Sequence, residues 1–128
     1  MTTTATTSDS KVLVCLNHGA EDAESVLLAY LVGVESLRAG KEAVMFLTKE
    51  AIHVATPGFV KSIDLPDGTP SLPELHAEFL DKGGRLIACP VCVRVRGMME
   101  AEWEPGTQIA GVPSILEYTT GGALVFNY

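Results

Sequence analysis

Three short runs of uninterrupted apolar residues limit what this chain can fold into. They are the centres of "KVLVCLN" (11 to 17), "EAVMFLT" (42 to 48) and "RLIAC" (85 to 89). Each is too short for a buried helix and rich in aliphatic or β-branched side chains. None alternates apolar with polar residues, so neither face of such a strand would meet water. That pattern belongs to the interior strands of a parallel sheet covered on both sides.

The segments between these runs carry helical signals. In "HGAEDAESVLLAYLVGVESLRAG" (18 to 40), Ala23, Val26, Leu27, Tyr30, Leu31, Val34 and Leu37 recur at helical spacing. Glu21, Asp22 and Glu24 suit the positive start of the helix and Gly40 its end. The middle, "VLLAYLVGV", is apolar on nearly every side, more than one sheet face requires. That surplus predicts a second covering surface, such as another subunit. "SLPELHAEFLDKGG" (71 to 84) predicts a helix with Ser71 as cap, Pro73 in its first turn and Gly83 or Gly84 as its stop.

Residues 49 to 70 read as a short strand at Ala51 to Val54, a turn or short helix near Phe59, and a loop across 55 to 70. Pro90 to Trp103 reads as a helix. "TQIAG" follows as a short strand, "VPSILEYTTGG" as a short helix and "ALVFN" as a last strand. The alternation of strands and helices predicts an α/β fold in one domain, 11 to 128. The sheet is five-stranded and mainly parallel, with helices on both faces in a flavodoxin-like three-layer sandwich.

Composition removes several function classes. A net charge of −7 over 128 residues argues against nucleic acid or an anionic membrane surface as partner. No apolar stretch is long enough to span a bilayer. The start, "MTTTATTSDS" (1 to 10), lacks the basic and apolar regions of a secretory signal and reads as a disordered lead. The expected compartment is therefore the cytoplasm, where the three cysteines stay reduced.

In an open parallel sheet, ligands bind at the carboxyl ends of the strands. Asn17 and His18 fall there after the first strand, Thr48 to Glu50 after the second, and Cys89 at the end of the third. Pro90 fits the first position of a helix, which makes Cys89 the N-cap. Free N–H groups at that position favour a thiolate, and Arg94 and Arg96 lie close in sequence. Cys89 and Cys92 form a C-P-x-C pair, the candidate catalytic residues. Asn17, His18, Arg94 and Arg96 are the candidate substrate-binding residues.

A structural zinc would need four ligands, and only Cys15, His18 and His53 remain as distant partners. We expect neither metal nor cofactor. Cys15 reads as core, Lys49 and Glu50 as solvated loop charges, and His53 and His76 as structural or exposed. Trp103 reads as a packing anchor rather than a lid. No P-loop, nucleotide glycine fingerprint or G-x-S-x-G elbow is present. The residues alone leave three readings open: a sulfur-transfer protein, a dithiol or peroxide-reactive redox protein, and a non-catalytic binding or assembly module.

"CPVCVRVRGM" resembles the DsrE/DsrF-like sulfur-relay family, in which a cysteine follows a central strand and a short helix ends in an arginine–glycine pair. Cys89 and Arg96–Gly97 match that spacing. "VLVCLNHGAEDAESVLLAYLVGVESLRAGKEAVMFLT" is similar to the family's first strand, long helix and second strand, and "GTQIAGVPSILEYTTGGALVFNY" to its ending. The resemblance implies a small α/β fold and homo-oligomers such as trimers or hexamers. In some members it also implies a cysteine carrying sulfur as a persulfide, at the position of Cys89. The implied partners are a sulfur donor or acceptor protein, or a small sulfur compound. Pro90 and Cys92 depart from the simpler carriers. A second thiol beside a persulfide would release sulfide and leave a disulfide, which favours a redox role.

Overall fold

The computed structural model describes residues 10–128, so the expected disordered lead lies almost wholly outside the described residues. Five strands, all paired in parallel, form one sheet in the order β4-β3-β2-β1-β5. They are β1 (Lys11–Leu16), β2 (Glu42–Leu47), β3 (Arg85–Ala88), β4 (Gln108–Ile109) and β5 (Leu124–Asn127). The helices are α1 (Ala23–Arg38), α2 (Leu72–Asp81), α3 (Pro90–Val95) and α4 (Val112–Thr119). The α/β class with a covered parallel sheet is as expected. The strand order departs from the 2-1-3-4-5 of flavodoxin.

That order decides where the helices go. The first three crossovers each step one strand in the same direction, from β1 to β2 to β3 to β4. Right-handed connections therefore put α1, α2 and α3 on one face. The last crossover must return past β1 to reach β5, and it carries α4 across the opposite face.

Strand parity divides the core accordingly. Val12, Val14, Leu16, Ala43, Met45, Leu47, Leu86 and Ala88 point to the three-helix face, where they meet Val26, Tyr30, Leu72, Phe79 and Val93. Leu13, Val44, Phe46 and Ile87 point to the α4 face, and there α4 contributes only the half-buried Ile115 and Tyr118. Each fully buried aliphatic side chain contributes about 1.5–3 kcal/mol, so most of the hydrophobic stabilisation sits on the three-helix face.

Ser71 caps its helix as expected, and one of the acidic residues before α1 also serves as a cap. Asp22 accepts a hydrogen bond from the Ser25 N–H at the start of α1, and Ser71 accepts one from the Glu74 N–H at the start of α2. The helix from Pro90 ends at Val95, not at Trp103 as expected. Met98 N–H reaches the Val93 carbonyl and Gly97 N–H the Arg94 carbonyl, while Gly97 takes φ 66. This double closure needs a left-handed residue, and glycine supplies it. Trp103 and Met98 then pack on the three-helix core.

Residues 49 to 55 form a 3-10 helix rather than a strand, because every interior sheet position beside β2 is already taken by β1 and β3. A second 3-10 turn covers Phe59–Ser62, where a turn was expected. The apolar surplus of α1 is largely absorbed within the chain. Tyr30 is wholly buried, and α2 packs along α1 beside the sheet.

Candidate functional site

Hydrogen bonding continues one residue beyond the carboxyl ends of the strands. Thr48 N–H donates to the Leu16 carbonyl and Cys89 N–H to the Leu47 carbonyl, each at 3.0 Å. Carrying the register forward one step from Leu16↔Leu47 and Leu47↔Ala88 makes Asn17, Thr48 and Cys89 neighbours in one row. By parity all three stand on the α4 side of the sheet. Cys89 packs against the α4-face cluster, as that placement requires.

The row is fixed by side-chain bonds. Thr48 Oγ1 donates to Asn17 Oδ1, and Asn17 Nδ2 donates to the Tyr128 backbone oxygen at 3.1 Å. These two bonds hold the Asn17 amide in one orientation and tie Thr48, the neighbour of Cys89 in the row, to β1.

Topology puts Cys89 at a particular place on the rim. The chain leaves β3 towards α3 on one face, and leaves its neighbour β4 towards α4 on the other. The crevice between diverging connections is where open α/β sheets bind ligands. The two helix starts touch there: a Cβ placed on Gly111, the N-cap of α4, would lie 3.6 Å from Pro90 Cγ. Cys89 is the N-cap of α3, half-buried, with φ −67 and ψ 123, and it makes no side-chain capping bond. Its sulfur is therefore not committed to the helix.

The remaining expected site residues are distributed unevenly. His18 Nδ1 sits 2.8 Å from Glu21 Oε2, while Glu21 Oε1 accepts from the Gly19 N–H. The neighbouring imidazole and these bonds hold the Glu21 carboxyl below its usual range. Arg96 Nε donates to Glu50 Oε2 at 2.8 Å, so Glu50 is not the free loop charge expected from sequence. That pair clamps the end of α3 to the turn after β2. Gly19 lies against the same turn, with the Glu50 carbonyl oxygen 2.6 Å from where a Cβ would be. Arg94 is exposed, and its guanidinium makes no hydrogen bond or ion pair among the described residues.

Cys92 lies apart from Cys89 in packing terms. It joins Met98 and Trp103 against the three-helix core, whereas Cys89 joins the α4-face cluster. All three cysteines are free thiols. Cys15 is one row below the rim on the α4 side, where burial pushes its thiol up. Among the described residues, no three His, Cys, Asp or Glu side chains gather as metal ligands would, and no helix is long and apolar enough to cross a membrane.

Two rim features escaped the sequence reading. Thr48 was expected only as a residue at a strand end, yet it connects Asn17 to the Cys89 position. Lys49, read as a loop charge, takes φ 54, the one left-handed residue other than glycine among those described.

The fold and site together define a class: small, open, parallel α/β proteins with a thiol at the crevice where successive crossovers part. The chain belongs to the DsrE/DsrF-like family, whose pattern matches residues 10–128. In the relatives, an uncharacterised protein of Methanocaldococcus jannaschii, MJ0760, is 25% identical over 114 residues, 89% of this chain. This chain spans 41% of that relative's length. MK0008 of Methanopyrus kandleri, also uncharacterised, is 22% identical over 107 residues, 84% of each chain.

Two solved structures share the fold. The ychN protein from E. coli superposes with a TM-score of 0.74 at 14% identity, over 93% of this chain and 99% of that one. MTH1491 from Methanobacterium thermoautotrophicum, a protein of unknown function, gives 0.63 at 20% identity, over 92% and 98%.

Proposed function

We propose that this protein is a small cytoplasmic sulfur carrier that holds sulfane sulfur as a persulfide on Cys89. The observation that carries the reading is the position of that thiol. It is half-buried, uncapped, and set at the crevice between α3 and α4 in a chain of the DsrE/DsrF-like family.

The transfer is a thiol exchange with no net redox change. The Cys89 thiolate attacks the outer sulfur of a donor persulfide, R–S–SH. The donor S–S bond breaks, R–S⁻ leaves, and Cys89 becomes Cys–S–SH. An acceptor thiolate then attacks that outer sulfur and returns the Cys89 thiolate. Asn17, bonded to Thr48 and Tyr128, fixes Thr48, the residue that stands next to Cys89 in the row. Arg94 supplies unpaired positive charge on the same short helix, while Arg96 maintains the rim through Glu50.

Cys92 takes no part in this cycle, since it packs towards the opposite face. A homo-oligomer, trimer or hexamer, fits the exposed Val112, Leu116, Val125 and Phe126 on α4 and β5. The edge strand β5, "LVFN", also has no charge or proline to protect it from pairing.

Exposure to polysulfide followed by intact-mass measurement tests the proposal. Wild type and Cys92→Ser should each gain the mass of a sulfur atom, removable by dithiothreitol. Cys89→Ser should gain none. An adduct that persists in Cys89→Ser rejects the assignment.

A further inference from the structure

A second polar site lies at the opposite end of the sheet from Cys89. Helix α4 has only eight residues and leaves the amino-terminal corner of β2 and β3 uncovered. A cavity of about 320 Å³ remains there, lined by Lys11, Glu42, Arg85, Ser114, Glu117 and Tyr118 among others.

The charges in this cavity are held apart from one another. Lys11 and Glu42 are direct partners in the β1–β2 register, which normally favours an ion pair. Lys11 Nζ instead donates to the Tyr118 and Thr120 carbonyls at 2.9 and 2.8 Å, closing the end of α4. Arg85 lies over the Tyr118 ring, 5.7 Å from its centroid, and no carboxylate among the described residues pairs with it. Tyr118 is itself tied, through its hydroxyl, to the Val12 carbonyl at 3.1 Å. The Glu42 and Glu117 carboxylates make no hydrogen bond or ion pair among the described residues.

One guanidinium and two carboxylates therefore line the same cavity without neutralising one another. A smaller adjoining cavity of about 150 Å³ shares Glu42, Arg85 and Tyr118 and adds Lys41 and Lys82. Fixed, mutually unsatisfied polar groups around a concave space are what orient a small ligand.

We infer that this corner binds a small zwitterion of the amino-acid class bearing an acidic side chain. Its α-carboxylate meets the Arg85 guanidinium, which offers a planar fork of N–H donors suited to a carboxylate. Its ammonium meets Glu42 and Glu117. Its side-chain carboxylate extends towards Lys82, whose ammonium otherwise has, among the described residues, only Glu78 Oε2 at 3.9 Å. The arrangement discriminates in two ways. A dicarboxylate without an amine leaves two carboxylates of the site facing an anion, and a simple amine leaves Arg85 unmatched. This site is separate from the thiol chemistry, so its failure would leave the sulfur-carrier reading untouched.

Isothermal titration calorimetry of the full chain with L-aspartate tests the inference, with succinate as the amine-free control. L-Aspartate should bind saturably with a Kd on the order of 1 mM or below, and more tightly than succinate. Arg85→Gln should weaken aspartate binding about tenfold or more, and Arg85→Lys by less, because it retains charge but loses the fork. Glu42→Gln should reduce the preference for aspartate over succinate. Circular dichroism should show both Arg85 variants folded, since Arg85 is an exposed first residue of its strand. No saturable heat up to about 50 mM aspartate, or equal binding by Arg85→Gln and wild type, overturns the proposal.

Discussion

The two faces of the sheet are built from the same strands and have opposite characters. On the side of α1, α2 and α3, Val14, Met45, Leu47, Tyr30 and Phe79 are all inaccessible to solvent. On the other side α4 buries no residue fully, and Val112, Leu116 and Val125 stay exposed. The difference follows from strand order, which sends three crossovers to one face and one short crossover to the other. It teaches a division of labour. Stability resides on the three-helix face, while the α4 face and its margins keep room for ligands and partners. Both candidate sites belong to that emptier side: the Asn17–Thr48–Cys89 row at one end and the Arg85 corner at the other.

A matched pair of substitutions can break this comparison. Leu72 is 2% exposed on the three-helix side, and Leu116 is 63% exposed on α4. Leu72→Ala should cost about 2–5 kcal/mol. Leu116→Ala should stay within about 0.5 kcal/mol for an isolated chain. Urea denaturation at two protein concentrations measures both. A Leu116→Ala cost that appears only at the higher concentration would place a second copy on the α4 face; a cost equal to that of Leu72→Ala at both concentrations would show that the two faces are not unequal.

A smaller effect comes from the polar thread through the three-helix side. The Tyr30 hydroxyl and His76 Nδ1 are 2.6 Å apart, and His76 Nε2 is 3.4 Å from Glu104 Oε1. With neutral His76, the tyrosine hydroxyl donates to Nδ1 and Nε2–H donates to the carboxylate. The backbone N–H of Glu104 also donates to the Ala55 carbonyl at 2.7 Å, so the segment after α3 is fastened to the Lys49–Ala55 3-10 helix as well as to α2. Tyr30→Phe strands a buried ring nitrogen and should cost about 1–3 kcal/mol.

The same thread gives a pH dependence. Burial lowers the His76 pKa from its ordinary 6.5, against the opposing pull of Glu104. As pH falls, the unfolded chain binds the proton first. This contribution to stability is therefore complete above pH 6.5 and declines as pH falls through that value towards the lowered folded pKa. His76→Gln retains an acceptor and a donor but cannot titrate. Comparing urea midpoints at pH 7.5 and 5.5 should show a larger acid loss in wild type than in this variant. Equal losses would show that His76 is not the group responsible.

How much of this was readable in the sequence depends on the range of the interaction. The three buried strands, the acidic start of α1, the Ser71 cap and the N-cap position of Cys89 are local patterns, and they appear where expected. The end of the helix from Pro90 is local as well, since Gly97 closes it, and it falls short of the expected Trp103. The strand order was not readable, since wholly apolar strands fit beside one another in any sequence. Glu50–Arg96 and Tyr30–His76 each join residues 46 apart. Nothing near either residue announces its partner, so Glu50 looked solvated and the thread went unseen.

The smallest predicted effect concerns Lys49, on the rim that joins the two faces. Its φ of 54 costs an L-residue about 1–2 kcal/mol relative to the usual regions. Glycine adopts that conformation freely, but brings a more disordered unfolded chain that costs about 0.5–1 kcal/mol. Lys49→Gly should therefore stabilise the protein by about 0.5–1 kcal/mol, and thermal melting at neutral pH would register it. A lower melting temperature would mean that the lysine side chain makes interactions that more than offset its strained backbone. The rim would then draw stability from its charged side chains as well as from its hydrogen-bonded row, and the division between the two faces would not extend to the edge they share.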